Sequence, residues 1–192
     1  AQGVVQRTAA LNALRTPPAG YLALCTYPEA LAERVVDAEA LRRETMTVRA
    51  GDRLRPADLV EWLDESGFVR VDFVYEPGQY SQRGGIVDVF SYVESLPYRF
   101  DFFDEEVDSE MCIRDRVDSI RRFNISSQLS QDKLQQAEII PNLNAREGGR
   151  VSLVEAAGDV CYWFFDADYA LRRVDDLRRR MLAEADDPAG VD

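Results

Sequence analysis

The chain predicts a mixed fold, α/β plus α+β, in which two α/β pieces flank a central antiparallel sheet carrying a helix. Three observations lead there. Short continuous apolar runs sit beside helical stripes at both ends of the chain, the pattern of strands buried on both faces. Between them, residues 68–103 alternate apolar and polar side chains and are punctuated by Gly and Pro, which is antiparallel grammar. Hydrophobic residues make up 46% of 192 positions, enough to build a core.

Taken in order, Val4 to Leu14 places Val4, Leu11 and Leu14 on one side of a helix, stopped by Pro17-Pro18-Ala19-Gly20. Tyr21 to Cys25 follows as a buried-type strand, and Ala30 to Val36 as a short helix with Pro28 at its start. Thr45 to Arg49 is a strand. Pro56 to Ser66 is a helix with Leu59 and Leu63 on one face and Gly67 as its stop. Strands are expected at Phe68–Tyr75, Gln79–Arg83, Ile86–Tyr92, Tyr98–Phe103 and Ile120–Ile125. Val160 to Phe165 repeats the buried-strand pattern and is expected to share a sheet with Tyr21 to Cys25. Asp166 caps a last helix striped by Leu171, Val174, Leu177 and Met181. The domains expected are 1–44 and 138–192, two parts of one α/β domain, and 45–137, the α+β module.

Composition narrows the function classes. The net charge is −12, and residues 51–140 alone carry 19 acids and 10 bases. Such a surface repels phosphate, which disfavours nonspecific nucleic-acid binding. The sequence holds no His and no Gly-rich loop ending in Lys-Ser or Lys-Thr, so the usual neutral-pH acid/base and a Walker A cradle are both missing. No catalytic residue, cofactor or metal is expected in this chain. The acids Asp104, Glu105, Glu106 and Asp108 read as a solvated turn, with a cation site as the alternative. Cys25, Cys112 and Cys161 are too scattered for a disulfide framework, and Cys25 and Cys161, inside apolar runs, are expected to be buried. No apolar run approaches bilayer length and no signal peptide opens the chain, whose first residue is Ala; a cut from a longer cytoplasmic protein is the expectation.

The positive signal is a surface. In Tyr98-Arg99-Phe100-Asp101-Phe102-Phe103, period two puts Tyr98, Phe100 and Phe102 on one face and Arg99, Asp101 and Phe103 on the other. An exposed Phe beside an exposed Arg is hot-spot composition. The alternative, Phe103 as core beneath a covering element, is equally compatible with the alternation. Arg83 precedes the Gly84-Gly85 turn and projects near the sheet edge, either into solvent or alongside Arg99. On these residues alone three classes stay open: a protein-binding module, a motor fragment handling DNA or nucleotide, and a spacer within its own protein. Tight, salt-sensitive DNA binding would mark the second.

The stretch from Glu76 to Phe90 (Glu-Pro-Gly-Gln-Tyr-Ser-Gln-Arg-Gly-Gly-Ile-Val-Asp-Val-Phe), followed by Pro97 to Phe103, resembles the bacterial transcription-repair coupling factors, the Mfd family. Gly67 to Val74, Ser127 to Ser130, Thr26 to Leu31 and Ile139 to Asn142 extend the resemblance. It implies the N-terminal module similar to UvrB: a degenerate P-loop-type α/β domain flanking a UvrB-interaction-like domain that binds UvrA. The implied contact residues are Arg83, Arg99 and Phe103. The implied role is non-catalytic, recruiting UvrA to stalled RNA polymerase in nucleotide excision repair. ATP, Mg, DNA and RNA polymerase would be engaged only by further domains, which make the intact family members ATP-driven DNA translocases. UvrB itself is the runner-up, sharing the Arg-Gly and Asp-x-Phe pattern. One stretch departs from the family: Val-Asp-Ser occurs at 107–109 and again at 117–119, with Glu110 to Arg116 between. The string Met111 to Arg116 resembles translated adaptor sequence. Residues 110–119 are expected to loop out, leaving Ile120 to Phe123 as the strand.

Overall fold

A computed structural model describes residues 2–15, 19, 22–102, 116–143 and 150–186. In chain order the elements are α1 (Gln2–Arg15), a 3-10 turn (Pro28–Ala32), β1 (Arg34–Val36), α2 (Ala38–Glu44), β2 (Met46–Arg49), α3 (Pro56–Glu65), β3 (Val69–Arg70), β4 (Gln79–Arg83), β5 (Ile86–Val89), β6 (Tyr98–Asp101), β7 (Ser119–Phe123), β8 (Ser130–Leu134), β9 (Gln136–Ile139), β10 (Arg150–Ser152), α4 (Leu153–Ala157) and α5 (Ala167–Asp186). Helix and antiparallel sheet are therefore both present, as the mixed class predicts. The chain divides into two compact units, Ala1–Asn12 with Leu41–Arg146, and Ala13–Ala40 with Glu147–Asp192.

The first unit is built on a six-stranded sheet in the order β3-β4-β5-β6-β7-β8 and a two-stranded ladder, β2-β9. All neighbours are antiparallel except β3 and β4. Alternation sends Tyr80, Val87, Val89, Tyr98, Phe100 and Ile120 to one face, where Leu59 and Leu63 of α3 cover them. Pro56 stands at the first turn of α3, where its missing N–H costs nothing, and Gly67 at φ +79° ends the helix. The Tyr80 hydroxyl donates to Asp64 of α3 at 2.6 Å and ties helix to sheet. Gly84, at φ +60°, closes the two-residue turn between Arg83 and Ile86, a geometry that side-chain-bearing residues resist. At Gly78 a Cβ would collide with the Tyr92 ring, so that position is closed to anything larger.

The second unit holds the β1-β10 ladder, α4 and α5. Ser152 and Glu155 form a reciprocal capping box at the start of α4, and Asp166 accepts the Tyr169 N–H at 2.8 Å at the start of α5, the cap expected of it. Glu29 of the 3-10 turn accepts from Arg173 Nε at 2.8 Å.

Several sequence expectations are corrected. Residues 22–25 and 160–164 are not strands: they are exposed and enter no ladder, so the shared sheet does not form. An apolar run becomes a strand only where a neighbour takes its backbone hydrogen bonds, and among the described residues neither run has one. For the same reason Cys25 and Cys161 are exposed rather than buried. Residues 34–36 are strand β1, not helix, because they pair with β10. The Phe68–Tyr75 strand shrinks to Val69–Arg70 and runs parallel to β4, with Val74 turning inward onto Phe90 and Phe123. Strands β8 and β9 were not expected: β8 is a polar edge strand, and β9 is a short alternation that buries Ala137 and Ile139. The looped-out segment is also corrected for residues 116–119. Val117 is fully buried, its N–H donates to the Asp52 carbonyl at 3.0 Å, and Ser119 pairs with Asp101. Removal of 110–119 or of 107–116 leaves the same sequence, so the second Val-Asp-Ser is simply the copy that packs. Residues 110–115, the acids at 104–108, and the helix stop at Pro17, Pro18 and Gly20 lie outside the described residues.

Candidate protein-binding face

The face of the six-stranded sheet turned away from α3 carries an unusual load of charge. Period two brings Ser81 and Arg83 of β4, Ile86 and Asp88 of β5, Arg99 and Asp101 of β6, and Ser119, Arg121 and Phe123 of β7 to this side. Register puts Ser81 opposite Asp88 and Asp88 opposite Arg99.

Asp88 is the centre. Its carboxylate is 1% exposed and takes three charge-assisted hydrogen bonds. Oδ1 accepts from Arg99 Nε at 2.7 Å, and Oδ2 accepts from Arg99 Nη2 at 2.9 Å and from Arg83 Nη2 at 2.5 Å. A carboxylate buried without such partners would cost several kcal/mol, so the two guanidiniums are what let an acid sit between valines in a strand. The reciprocal effect holds the Arg99 guanidinium more firmly protonated than usual, chiefly through its hydrogen bonds to Asp88.

Two loops finish the arrangement. The Arg99 guanidinium lies 4.4 Å over the Phe123 ring and donates to the Gln128 carbonyl at 3.2 Å. That carbonyl is aimed by an Asx turn: the Asn124 side chain accepts from the N–H groups of Ser126 and Ser127, and Gln128 takes φ +58°. The turn leaves Leu129 68% exposed. On the other side the Arg83 guanidinium lies 5.1 Å over Phe73 and donates to the Asp72 carbonyl at 3.1 Å. Phe73 and Tyr75 remain exposed on this loop, whose next residue but one from Asp72, Val74, is buried. The two arginines are unequal: the Arg83 side chain is 39% exposed and that of Arg99 17%.

Of the three residues singled out from sequence, Arg83 and Arg99 are thus brought to a single carboxylate, while Phe103 lies outside the described residues. Asp88 and the Asp72 and Gln128 carbonyls supply both guanidiniums with acceptors from within the chain. Sequence reasoning missed Asp88, Phe73, Gln128 and Leu129. Asp88 had left a signal, an acid interrupting Ile86-Val87-Asp88-Val89, but its register opposite Arg99 had not.

A cavity of about 740 Å³ lies elsewhere, within the second unit, lined by Leu22, Leu24, Val160, Tyr162 and Phe164 among others. Its lining is mainly apolar, with Thr26, Cys161 and Asp166 among the polar residues at its wall. Among the described residues no group of His, Cys, Asp and Glu is placed to hold a metal ion, and no helix is long and apolar enough to cross a membrane.

Comparison with known proteins covers the segment that carries this face. Residues 46–144 match the model of the UvrB interaction domain, a stretch that contains Arg83, Asp88 and Arg99. The transcription-repair-coupling factor of Escherichia coli (strain K12) is 33% identical over 111 residues, 58% of this chain and 9% of that protein. That of Bacillus subtilis (strain 168) is 35% identical over 103 residues, 54% of this chain and 8% of that protein. That of Haemophilus influenzae is 30% identical over 111 residues, again 58% and 9%. The matched stretch therefore spans about a tenth of the length of these curated relatives. The resemblance carried by Glu76 to Phe90 and Pro97 to Phe103 is borne out.

Proposed function

The chain belongs to the UvrB interaction domain family, and from that premise we propose that it is the UvrA-recruiting part of a transcription-repair coupling factor. The role is non-catalytic. Residues 45–137 supply the binding domain, and 1–44 with 138–192 supply parts of a UvrB-like, degenerate P-loop-type α/β domain. Recruitment would bring UvrA to stalled RNA polymerase, in the cytoplasm, for transcription-coupled nucleotide excision repair. Polymerase, DNA, ATP and Mg would be engaged by other domains of a longer protein, whose translocase activity lies outside this chain.

The observation that carries the reading is the Arg83–Asp88–Arg99 cluster inside the matched segment, with exposed Phe73 and Leu129 at its sides. Arginine and aromatic groups held at the centre of a face are what protein hot spots are made of. They are also a poor footprint for nucleic acid in a segment this acidic. Isothermal titration of the 192-residue chain with UvrA tests the reading. Arg83→Ala, Arg99→Ala and Phe103→Ala should each weaken binding by at least about 1 kcal/mol, with the circular dichroism spectrum kept. Normal binding by all three variants would place the contact elsewhere.

A further inference from the structure

Resting on that reading, we infer that Asp88 is the positioning residue of the binding face: one buried carboxylate that fixes two guanidiniums and leaves Arg83 the one presented to the partner.

The argument begins with charge. Asp88 can neutralise one guanidinium, and two are bound to it. The wider face has Arg83, Arg99, Arg121 and, opposite Arg121 on β8, Lys133 against Asp88 and Asp101, which leaves two positive charges in excess. That excess sits in a chain of net charge −12. Long-range attraction of an acidic partner is therefore weak here, and recognition has to come from short-range placement.

Placement is what the geometry supplies. A free arginine loses rotamer entropy when it is fixed, and a partner that had to fix two would lose affinity accordingly. Here Arg99 is fixed in advance by a two-nitrogen grip on Asp88, the Gln128 carbonyl and the Phe123 ring. Arg83 is held more lightly. Its two hydrogen bonds, to Asp88 and to the Asp72 carbonyl, engage two of the five N–H groups a guanidinium has. Its side chain is more than twice as exposed as that of Arg99. The remaining N–H groups of Arg83 can donate to the oxygens of a partner carboxylate while Asp88 keeps the group in place. Phe73 beneath Arg83 makes the apolar floor of the same spot. The partner feature that fits is one Asp or Glu side chain flanked by apolar surface. Asp88, at 1% exposure, touches no partner and acts only through the arginines.

The test uses the whole chain, with UvrA as the probe, in two arms. NMR of the arginine Nε–H groups in the free chain should show Arg99 protected from solvent exchange, and Asp88→Asn should erase that protection. Titration with UvrA should show Asp88→Asn about tenfold weaker or more, with an unchanged circular dichroism spectrum. That loss should shrink in an Arg83→Ala background, because a residue acting through Arg83 is not additive with it. Asp88→Glu keeps the charge and displaces the carboxylate by one methylene, so it should bind between wild type and Asp88→Asn. If Asp88→Asn does not fold, Asp88→Glu decides: weakened binding by a folded variant supports the inference and full binding overturns it. An unprotected Arg99 in the wild-type chain, UvrA binding untouched by Asp88→Asn, or a loss undiminished beside Arg83→Ala overturns the inference alone. A chain that protects Arg99 and yet leaves UvrA unbound overturns the functional reading, and the inference falls with it.

Discussion

The two units of this chain use similar apolar residues to opposite ends. In the first, Leu59, Leu63, Val87, Val89, Phe100, Ile120 and Ile139 are all wholly buried. In the second, Trp163 is 92% exposed and Phe165 fully so, with Leu22, Leu24, Tyr162 and Phe164 also open. The difference is not composition. The first unit has a six-stranded sheet whose apolar face α3 covers, so alternate side chains are removed from water as the ladder forms. The second unit has apolar runs without ladders. Burial is a property of pairs of elements, and a strand-like sequence without a neighbour remains surface.

The comparison predicts unequal sensitivity to mutation. Phe100→Ala, at the centre of the first unit, should lower unfolding free energy by about 3–5 kcal/mol in chemical denaturation, as large-to-small core changes do. A loss below about 1 kcal/mol would mean that this core is as loose as the other unit. Alkali gives a second measure. Burial, then the hydrogen bond to Asp64, pushes the Tyr80 hydroxyl up from 10.0 to about 12. The unfolded chain releases this proton near pH 10 and the folded chain only near pH 12. The stabilisation is thus complete below pH 10 and is lost as pH rises toward 12, by about 2–3 kcal/mol. Tyr80→Phe should flatten that part of the pH–stability curve and cost about 1 kcal/mol at neutral pH. An unchanged slope would contradict the Tyr80–Asp64 contact.

Smaller effects follow. Deleting residues 107–116 keeps one Val-Asp-Ser before β7, and the shorter connection costs less closure entropy. The melting temperature should hold or rise, by an amount worth under about 1 kcal/mol. A fall would show that the removed residues pack. Smallest of all, Trp163→Ser and Phe165→Ser should change stability by no more than about 0.5 kcal/mol, as exposed positions do. Acrylamide should quench Trp163 in the wild-type chain far more readily than half-buried Trp62. Equal quenching, or a large loss of stability, would erase the contrast between the units.

How much was legible follows from where the information sits. Helix α3 and the β4-β5 hairpin could be read because their signals are local: Pro56, Leu59, Leu63 and Gly67 for one, alternation around Gly84-Gly85 for the other. The inward set Tyr98, Phe100 and Phe102 was read correctly for the same reason. Tyr21 to Cys25 and Val160 to Phe165 were misread because an apolar run does not say whether a partner strand exists. Strand β8, Ser130–Leu134, was missed because an exposed edge strand needs no apolar alternation. At the face, period two placed Arg99 outward and the turn placed Arg83 near it. Asp88 could not be assigned to either, since which acid meets which base depends on register across three strands.

The measurement that bears most directly on the account is the affinity of the 192-residue chain for UvrA, compared with Arg83→Ala and Arg99→Ala under the same salt. The account predicts that the wild-type chain binds and that each variant, still folded, binds about tenfold more weakly or worse. A wild-type chain that does not bind UvrA, or folded variants that bind it equally well, would contradict it.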